Sequence, residues 1–329
     1  MRVVVTGGAG FIGSHLVEEL LTKNYEVIVV DNFSTGKLSN LKELGNKVNI
    51  YNHDIRFPLP SNIFNGCSIV FHLAALADIV PSIERPSDYL LTNVQGTVNV
   101  LEAARENGVK RVVYTASSTC YGTTSNYPTS ENNEILPTFP YALSKYLAEL
   151  VFFHWIDLYG IKGLSLRLFN VYGPRARTSG NYGAVMGVFL AQKIAKKPFT
   201  VVGDGTQVRD FTYVSDVVRA LILAGESEVT REAINIGTQN PQSINRLVEL
   251  LNGEVEYIPK RPGEPTRTHA DISKAKLLLD WEPKVSFEEG VNNVLDKISL
   301  WRDAPIWIKS DIEIATNDWF KYLGKNEAN

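Results

Sequence analysis

The chain has 329 residues, 44% of them hydrophobic and 21% charged, an ordinary composition for a soluble globular protein with room for one large domain or two. A net charge of -3 excludes an overall basic surface for nucleic acid or an anionic membrane, and no apolar run reaches the length of a spanning helix. Two cysteines (Cys67 and Cys120) and five scattered histidines fit neither a disulfide framework nor a metal cluster, so no metal is expected.

In chain order, a first strand is expected at "RVVVT". It begins at Arg2 and leaves no room for a cleavable leader, so a cytoplasmic protein is expected. "GGAGFIG" carries the strand into a helix reading "FIGSHLVEELLTK". Gly7, Gly10 and Gly13 stand where a dinucleotide fold needs a tight turn, backbone close to a pyrophosphate, and a helix packed closely on its strand. Asp31, in "VVDN", ends the second strand roughly twenty residues later, where a carboxylate can accept both ribose hydroxyls of NAD and repel the 2′-phosphate of NADP. The third strand, "KVNIYN", leads into "NHDI", so Asp54 and Ile55 reach either an adenine or an ordinary turn. "SIVFHL" closes on Ala74 and Ala75, small enough to give a cofactor access to backbone.

A helix is expected over residues 87–107, and the fifth strand, "RVVYTASSTCYG", runs into the hydroxyls of Ser117, Ser118 and Thr119. In an open parallel sheet ligands sit beyond the carboxyl ends of the strands, so these hydroxyls face one. The next helix, "PYALSKYLAELVFFHWIDLYG", opens with Tyr141 and Lys145 about one turn apart on one face. Of the 14 tyrosines, Tyr141 alone has a lysine at the fourth following position. That spacing suits a ring on the core beside a lysine in water just as well, so alone it decides nothing. In context it fits a phenol whose pKa a neighbouring ammonium lowers toward use as a base, with Ser117 holding the substrate oxygen.

With "GLSLRLF" as a sixth strand, the alternation implies an α/β protein, a Rossmann-type doubly wound parallel sheet over residues 1–170. From Val171 the rhythm loosens into a smaller C-terminal α/β substrate lobe over residues 171–329, although its strands at 200–202 and 233–236 could rejoin the main sheet. A terminal helix is expected over 312–323 with Trp319 and Phe320 on its buried side. Cys120 reads as packing.

Taken together, "TGGAGFIG", "VVDN", "SSTCYG", "YALSK", "RLFNVYGP", "GDGTQVRDFTYVSD" and "RPGEPTRTHADISKA" resemble, in this order, the extended short-chain dehydrogenase/reductase family, in its nucleotide-sugar epimerase/dehydratase branch. The similarity runs from Met1 to about Ile298. It implies NAD as cofactor, contacted by Gly7, Gly10, Phe11, Ile12, Asp31, Asn32, Asp54, Ile55, Ala74, Ala75 and Asn93, with Tyr141 and Lys145 at its nicotinamide end. It also implies a UDP-linked nucleotide-sugar substrate, held by Ser117, Ser118, Thr119, Asn170, Arg209, Arg261 and Glu264. Among these, Arg209 and Arg261 match the diphosphate arginines, with Asn170 near the diphosphate and Glu264 on the nucleoside ribose. The implied reaction is a reversible oxidation at the sugar C4, with Ser117, Tyr141 and Lys145 catalytic. Members commonly dimerise through two long helices per subunit, here 87–107 and 141–159, so a homodimer is implied.

Related dehydratases carry Asp-Glu directly after the serine, and decarboxylases a Glu at the second of those positions. Ser118 and Thr119 stand there and cannot act as carboxylate acids or bases. A 4-ketoreductase or dehydrogenase needs only Ser, Tyr and Lys and stays open, as does a non-catalytic dinucleotide-binding regulator. Asp78 suits a helix cap or a sugar-hydroxyl acceptor. Thr268 stands where some members carry a large aromatic, which leaves room for an N-acetyl group. The loop "RTSGNYGAVMGVF" departs from the epimerase pattern.

Overall fold

The computed structural model describes residues 1–176 and 183–324. The chain runs through β1 (Arg2–Thr6), α1 (Phe11–Thr22), β2 (Glu26–Asp31), β3 (Val48–Asn52), β4 (Ile69–His72), α2 (Ile79–Glu84), α3 (Pro86–Tyr89), α4 (Gly96–Glu106), β5 (Arg111–Ser117), α5 (Pro140–Tyr159) and β6 (Lys162–Leu168). The second part comprises β7 (Val171–Tyr172), α6 (Val185–Ile194), β8 (Phe199–Val202), β9 (Val208–Arg209), β10 (Thr212–Tyr213), α7 (Val214–Glu226), β11 (Glu232–Ile236), β12 (Gln242–Ser243), α8 (Ile244–Leu251), β13 (Val255–Ile258), α9 (Ser273–Leu279), α10 (Phe287–Leu295), α11 (Lys309–Ala315) and α12 (Asn317–Leu323).

The main sheet has seven strands in the order β11-β6-β5-β4-β1-β2-β3, and every pairing in it is parallel. Chain order reverses direction between β1 and β4, which puts a crevice beyond their carboxyl ends. Alternating residues feed two cores. Val3, Val5 and Val29 pack with Leu16 and Val17 of α1 and Val217 and Leu221 of α7, whereas Val4, Val30 and Val70 pack with Val100 of α4 and Phe152 of α5. A third core, with Phe189, Phe199, Leu247 and Phe287, belongs to the second part of the chain. Of the two later strands that sequence left open, Glu232–Ile236 joins the main sheet beside β6, while Phe199–Val202 pairs with β13 instead.

Two expected helices are interrupted. Over 87–107 a π turn at Leu90–Gln95 separates α3 from α4, and the Thr97 hydroxyl donates to the Asn93 carbonyl at 2.6 Å. The expected terminal helix is two short ones, α11 and α12, parted at Thr316. Trp319 is 3% exposed but Phe320 is 38% exposed, so only the tryptophan lies on the buried side. Among the described residues, no helix is long and apolar enough to cross a membrane.

Candidate active site

The turn between β1 and α1 is built around backbone. Gly7 has φ +71°, and a Cβ there would sit 2.7 Å from the Ala74 nitrogen. A Cβ at Gly13 would lie 2.1 Å from the Gly7 carbonyl oxygen, so the close approach of helix to turn requires glycine. Helix α1 begins after Gly10 with no side-chain cap and no acid in its first turn, which leaves its amides and dipole to meet an anion. A cleft of about 740 Å³ opens here, lined by Gly7, Gly10, Phe11, Ile12, Asp31, Asn32, Asp54, Ile55, Ala74 and Ala75.

At the far end of β2, the Asp31 carboxylate is 7% exposed and accepts from the Ala9 amide at 2.9 Å and the Phe33 amide at 2.8 Å. Burial raises its pKa, and the two amides pull it back down. Each oxygen keeps acceptor capacity for a ribose hydroxyl. Asp54 is spent differently. Arg56 binds it side-on, Nη2 at 2.6 Å, and Asn32 donates at 3.1 Å, so it is held ionised with a pKa of about 2.

Asn93, expected among the cofactor contacts, is engaged by protein groups. It is 1% exposed behind the cleft wall, where its amide donates to the Leu76 carbonyl at 2.9 Å and the Ser144 hydroxyl at 2.8 Å and accepts from the Leu76 amide at 2.8 Å. With both amide hydrogens used, it staples the loop after β4 to α5. Thr115, by contrast, lines the cleft, and its buried hydroxyl has no protein partner. Sequence reading passed over it, although it lies two residues before Ser117 on the same face of β5.

Ser117 ends β5 and caps the short turn at Ser118–Tyr121, its oxygen 2.9 Å from the Thr119 hydroxyl. Tyr141 stands in the first turn of α5, with Phe139 stacked alongside at 6.4 Å and Tyr89 edge-on at 6.4 Å. From protein groups alone its phenol is raised by burial, with the Ser117 hydrogen bond pulling it partly back. Lys145 is not among the groups that shift this phenol, so the lowering expected from the lysine is not seen in the protein alone. The Lys145 ammonium is buried over the Tyr114 ring, 4.5 Å from its centroid. Burial brings its pKa down to about 7, against the pull of Glu149 one turn further on. Glu149 in turn accepts from Arg167 at 2.6 Å and from Ser165 at 2.6 Å. Burial pushes the Cys120 thiol up to about 12, which leaves it inert.

The remaining substrate-side residues gather in the second part of the chain, outside the 740 Å³ cleft. Arg209 is 7% exposed and pairs with Glu264 at 2.8 Å, while Arg261 reaches the other Glu264 oxygen at 3.7 Å. Asn170 accepts from the Thr268 hydroxyl at 2.7 Å, and that hydroxyl accepts from the Asp210 amide at 2.9 Å. Thr268 is thus committed to holding Asn170. Asp78 occupies the N-cap position of α2 without a side-chain capping bond and lines the cleft. Of the loop that departs from the epimerase pattern, residues 177–182 lie outside the described residues.

Residues 3–237 match the model of the NAD dependent epimerase/dehydratase family. A putative UDP-glucose 4-epimerase of Methanocaldococcus jannaschii is 38% identical, across 89% of this chain and 97% of that protein. UDP-glucuronic acid decarboxylase 1 of Xenopus tropicalis is 35% identical, across 89% of this chain and 71% of that protein. Among solved structures, the UDP-glucose 4-epimerase of Thermotoga maritima with UDP-glucose superposes with a TM-score of 0.86 at 37% identity, covering 91% of this chain and 99% of that one. A glycine cradle, an uncapped helix N-terminus, an acid at the end of β2 and an orphaned threonine hydroxyl fit a dinucleotide, and the chain belongs to the NAD-dependent epimerase/dehydratase family, whose cofactor is NAD.

Proposed function

We propose that this protein is an NAD-dependent nucleotide-sugar 4-epimerase that works on a UDP-linked sugar through a transient 4-keto form. The observation that carries this reading is the assembly of Ser117, Tyr141 and Lys145 at the carboxyl end of β5, with Ser118 and Thr119, not carboxylates, beside them. Water elimination or decarboxylation would call for an acid or base there that these hydroxyls cannot supply.

Bound NAD supplies the hydride acceptor and donor for the sugar C4. Tyr141 takes the proton of the 4-hydroxyl and returns it to the same oxygen after the 4-keto sugar has rotated to take the hydride back on its opposite face; Ser117 holds that oxygen in reach of the phenol. Lys145, buried against Tyr114, supplies the positive charge that favours a tyrosinate once substrate displaces water from the Tyr141 hydroxyl. Arg209 and Arg261 take the diphosphate, with Glu264 turning from them to the nucleoside ribose and Asn170 beside them. Residues 171–329 serve mainly as the nucleotide-sugar lobe, while β11 returns to the main sheet. Leu143, Leu150 and Leu158 form an exposed stripe along α5, with Leu90 and Leu91 exposed on the π turn, which supports a homodimer paired through these helices. The free, buried Cys67 and Cys120 suit a cytoplasmic protein.

The test is incubation of the purified protein with UDP-glucose, UDP-N-acetylglucosamine or UDP-glucuronate, with products followed by NMR and mass spectrometry. An isomer of unchanged mass is expected, and Tyr141→Phe should retain NAD yet lose about 10²–10⁴-fold in turnover. Loss of water or carbon dioxide, or full turnover in Tyr141→Phe, would refute the reading.

A further inference from the structure

The putative UDP-glucose 4-epimerase and the solved UDP-glucose 4-epimerase are matched over 97% and 99% of their own length but over 89% and 91% of this chain, which leaves about a tenth of this chain outside each match. That remainder is the size of the segment after Ile298, where the motif resemblance stops. The segment is firmly seated. Trp301, Ile312 and Trp319 are at most 3% exposed in the third core, and the buried Gln192 amide donates to the Trp307 carbonyl at 2.6 Å.

Its position sets it apart from a simple tail. Leu300, Ala304, Pro305 and Trp307 line the same cleft as the glycine turn. Further on, the Trp319 indole reaches Arg261 and its neighbour Pro262 directly. Its Nε1 donates to the Pro262 carbonyl at 2.7 Å, and the Arg261 guanidinium lies over its ring at 5.7 Å. The opposite contact is Phe139, with ring centroids 6.3 Å apart, and Phe139 itself stacks at an 8° interplanar angle on Tyr141. One side chain from the extension therefore bridges the rigid head of α5 and the loop that carries Arg261 and Glu264.

We infer that the C-terminal segment completes the substrate side of the site, with Trp319 as the positioning residue that holds Arg261 for the diphosphate. Residues 261–264 lie in a turn between β13 and α9, outside any helix or strand, and the Glu264 carboxylate that Arg261 faces at 3.7 Å sits in that same turn, so contacts from outside the turn limit the rotamers Arg261 would otherwise lose on binding. The indole removes that freedom in advance through one hydrogen bond to the backbone and one face under the guanidinium. Phe139 fixes the ring against α5, so the arginine is registered to the tyrosine at which the chemistry takes place. The inference rests on the assignment of Arg261 to the diphosphate, and the experiment separates the two.

The experiment is titration of the NAD-loaded protein with UDP by calorimetry, for wild type, Arg261→Ala, Trp319→Ala, Trp319→Phe and Ile314→Ser, with KM and kcat for the substrate identified above. Ile314 is 77% exposed on the same segment and serves as the control. Trp319→Ala should weaken UDP at least about tenfold and raise KM in step, with kcat within about twofold and NAD content unchanged. Trp319→Phe fills most of the space and keeps a ring under Arg261 but loses the bond to Pro262, so it should fall between. Ile314→Ser should match wild type. If Arg261→Ala weakens UDP while both Trp319 variants bind it as wild type does and lose only thermal stability, the inference is overturned and the assignment of Arg261 stands. If Arg261→Ala leaves UDP affinity intact, the assignment fails and the inference falls with it.

Discussion

The two ends of this site are made of different material. At the cofactor end the cleft is shaped by backbone and by residues too small to intrude, Gly7, Gly10, Gly13, Ala74 and Ala75, from adjacent parallel strands. The proposed substrate end is made of long charged side chains that neutralise one another, Arg209 of β9 against Glu264 and Arg261 of a turn far along the sequence. A backbone-built site is formed once the sheet is formed. A side-chain-built site needs each group to be held, and here those holders are Thr268 for Asn170 and Trp319 for the loop of Arg261.

The difference predicts how each end fails. Gly13→Ala should damage the cofactor end severely, because its carbon would fall 2.1 Å from the Gly7 carbonyl oxygen and backbone has to move. Overpacking of this kind costs about 1–3 kcal/mol of stability, and the displaced helix N-terminus should cost NAD about a hundredfold in affinity. Retained NAD in the purified variant, read by its absorbance after denaturation, would contradict the account.

Lys145 lies buried over Tyr114, and its burial gives a pH signature of middle size. Its folded pKa of about 7 is below the 10.5 of a free lysine, so between those values the unfolded chain holds a proton that the folded chain has released. Stability therefore rises with pH across that window, by up to about 1.4 kcal/mol per unit, while below pH 7 the full burial cost is present. Lys145→Met removes this contribution. The variant should be the more stable at pH 7, and wild type should narrow the gap as pH rises from 7 to 9 in urea unfolding; parallel curves would mean that the ammonium is not desolvated as the structure shows.

The contrast also explains what was legible in the sequence. Gly7 to Gly13 and Asp31 fall within one strand–helix–strand unit, so spacing alone carries their geometry, and the six early strands were readable as Val- and Ile-rich runs for the same reason. Tyr141 and Lys145 were visible as a helical pair, yet the burial that raises the phenol depends on neighbours such as Tyr89 and Phe139 that spacing does not show. Asn93 looked like a ligand because the π turn that points it at Leu76 and Ser144 has no signature in a helical pattern. The arginine cluster was readable only through resemblance to a family, since no local period brings residue 209 to residue 264. Trp319, beyond the end of that resemblance, was read as core and no more.

The smallest predicted effect tests whether the substrate end depends on side-chain shape and not merely on charge. Arg209 donates one Nη to the Val208 carbonyl at 3.0 Å and the other to Glu264 at 2.8 Å, a fork that fixes the guanidinium plane. Lysine keeps the charge but has one nitrogen, so it can hold the carbonyl or the acid but cannot present a planar face to two phosphate oxygens. One charge-assisted hydrogen bond lost from the bound state is about 1.5 kcal/mol, or roughly tenfold. Because that bond is made equally in ground and transition states, Arg209→Lys should raise KM about tenfold and leave kcat within about twofold. NAD retention should be unchanged, since Arg209 lies outside the cleft that the glycine turn opens. A wild-type KM would mean that charge alone suffices there, and the distinction between a backbone-built end and a shape-dependent side-chain end would have to be abandoned at this residue.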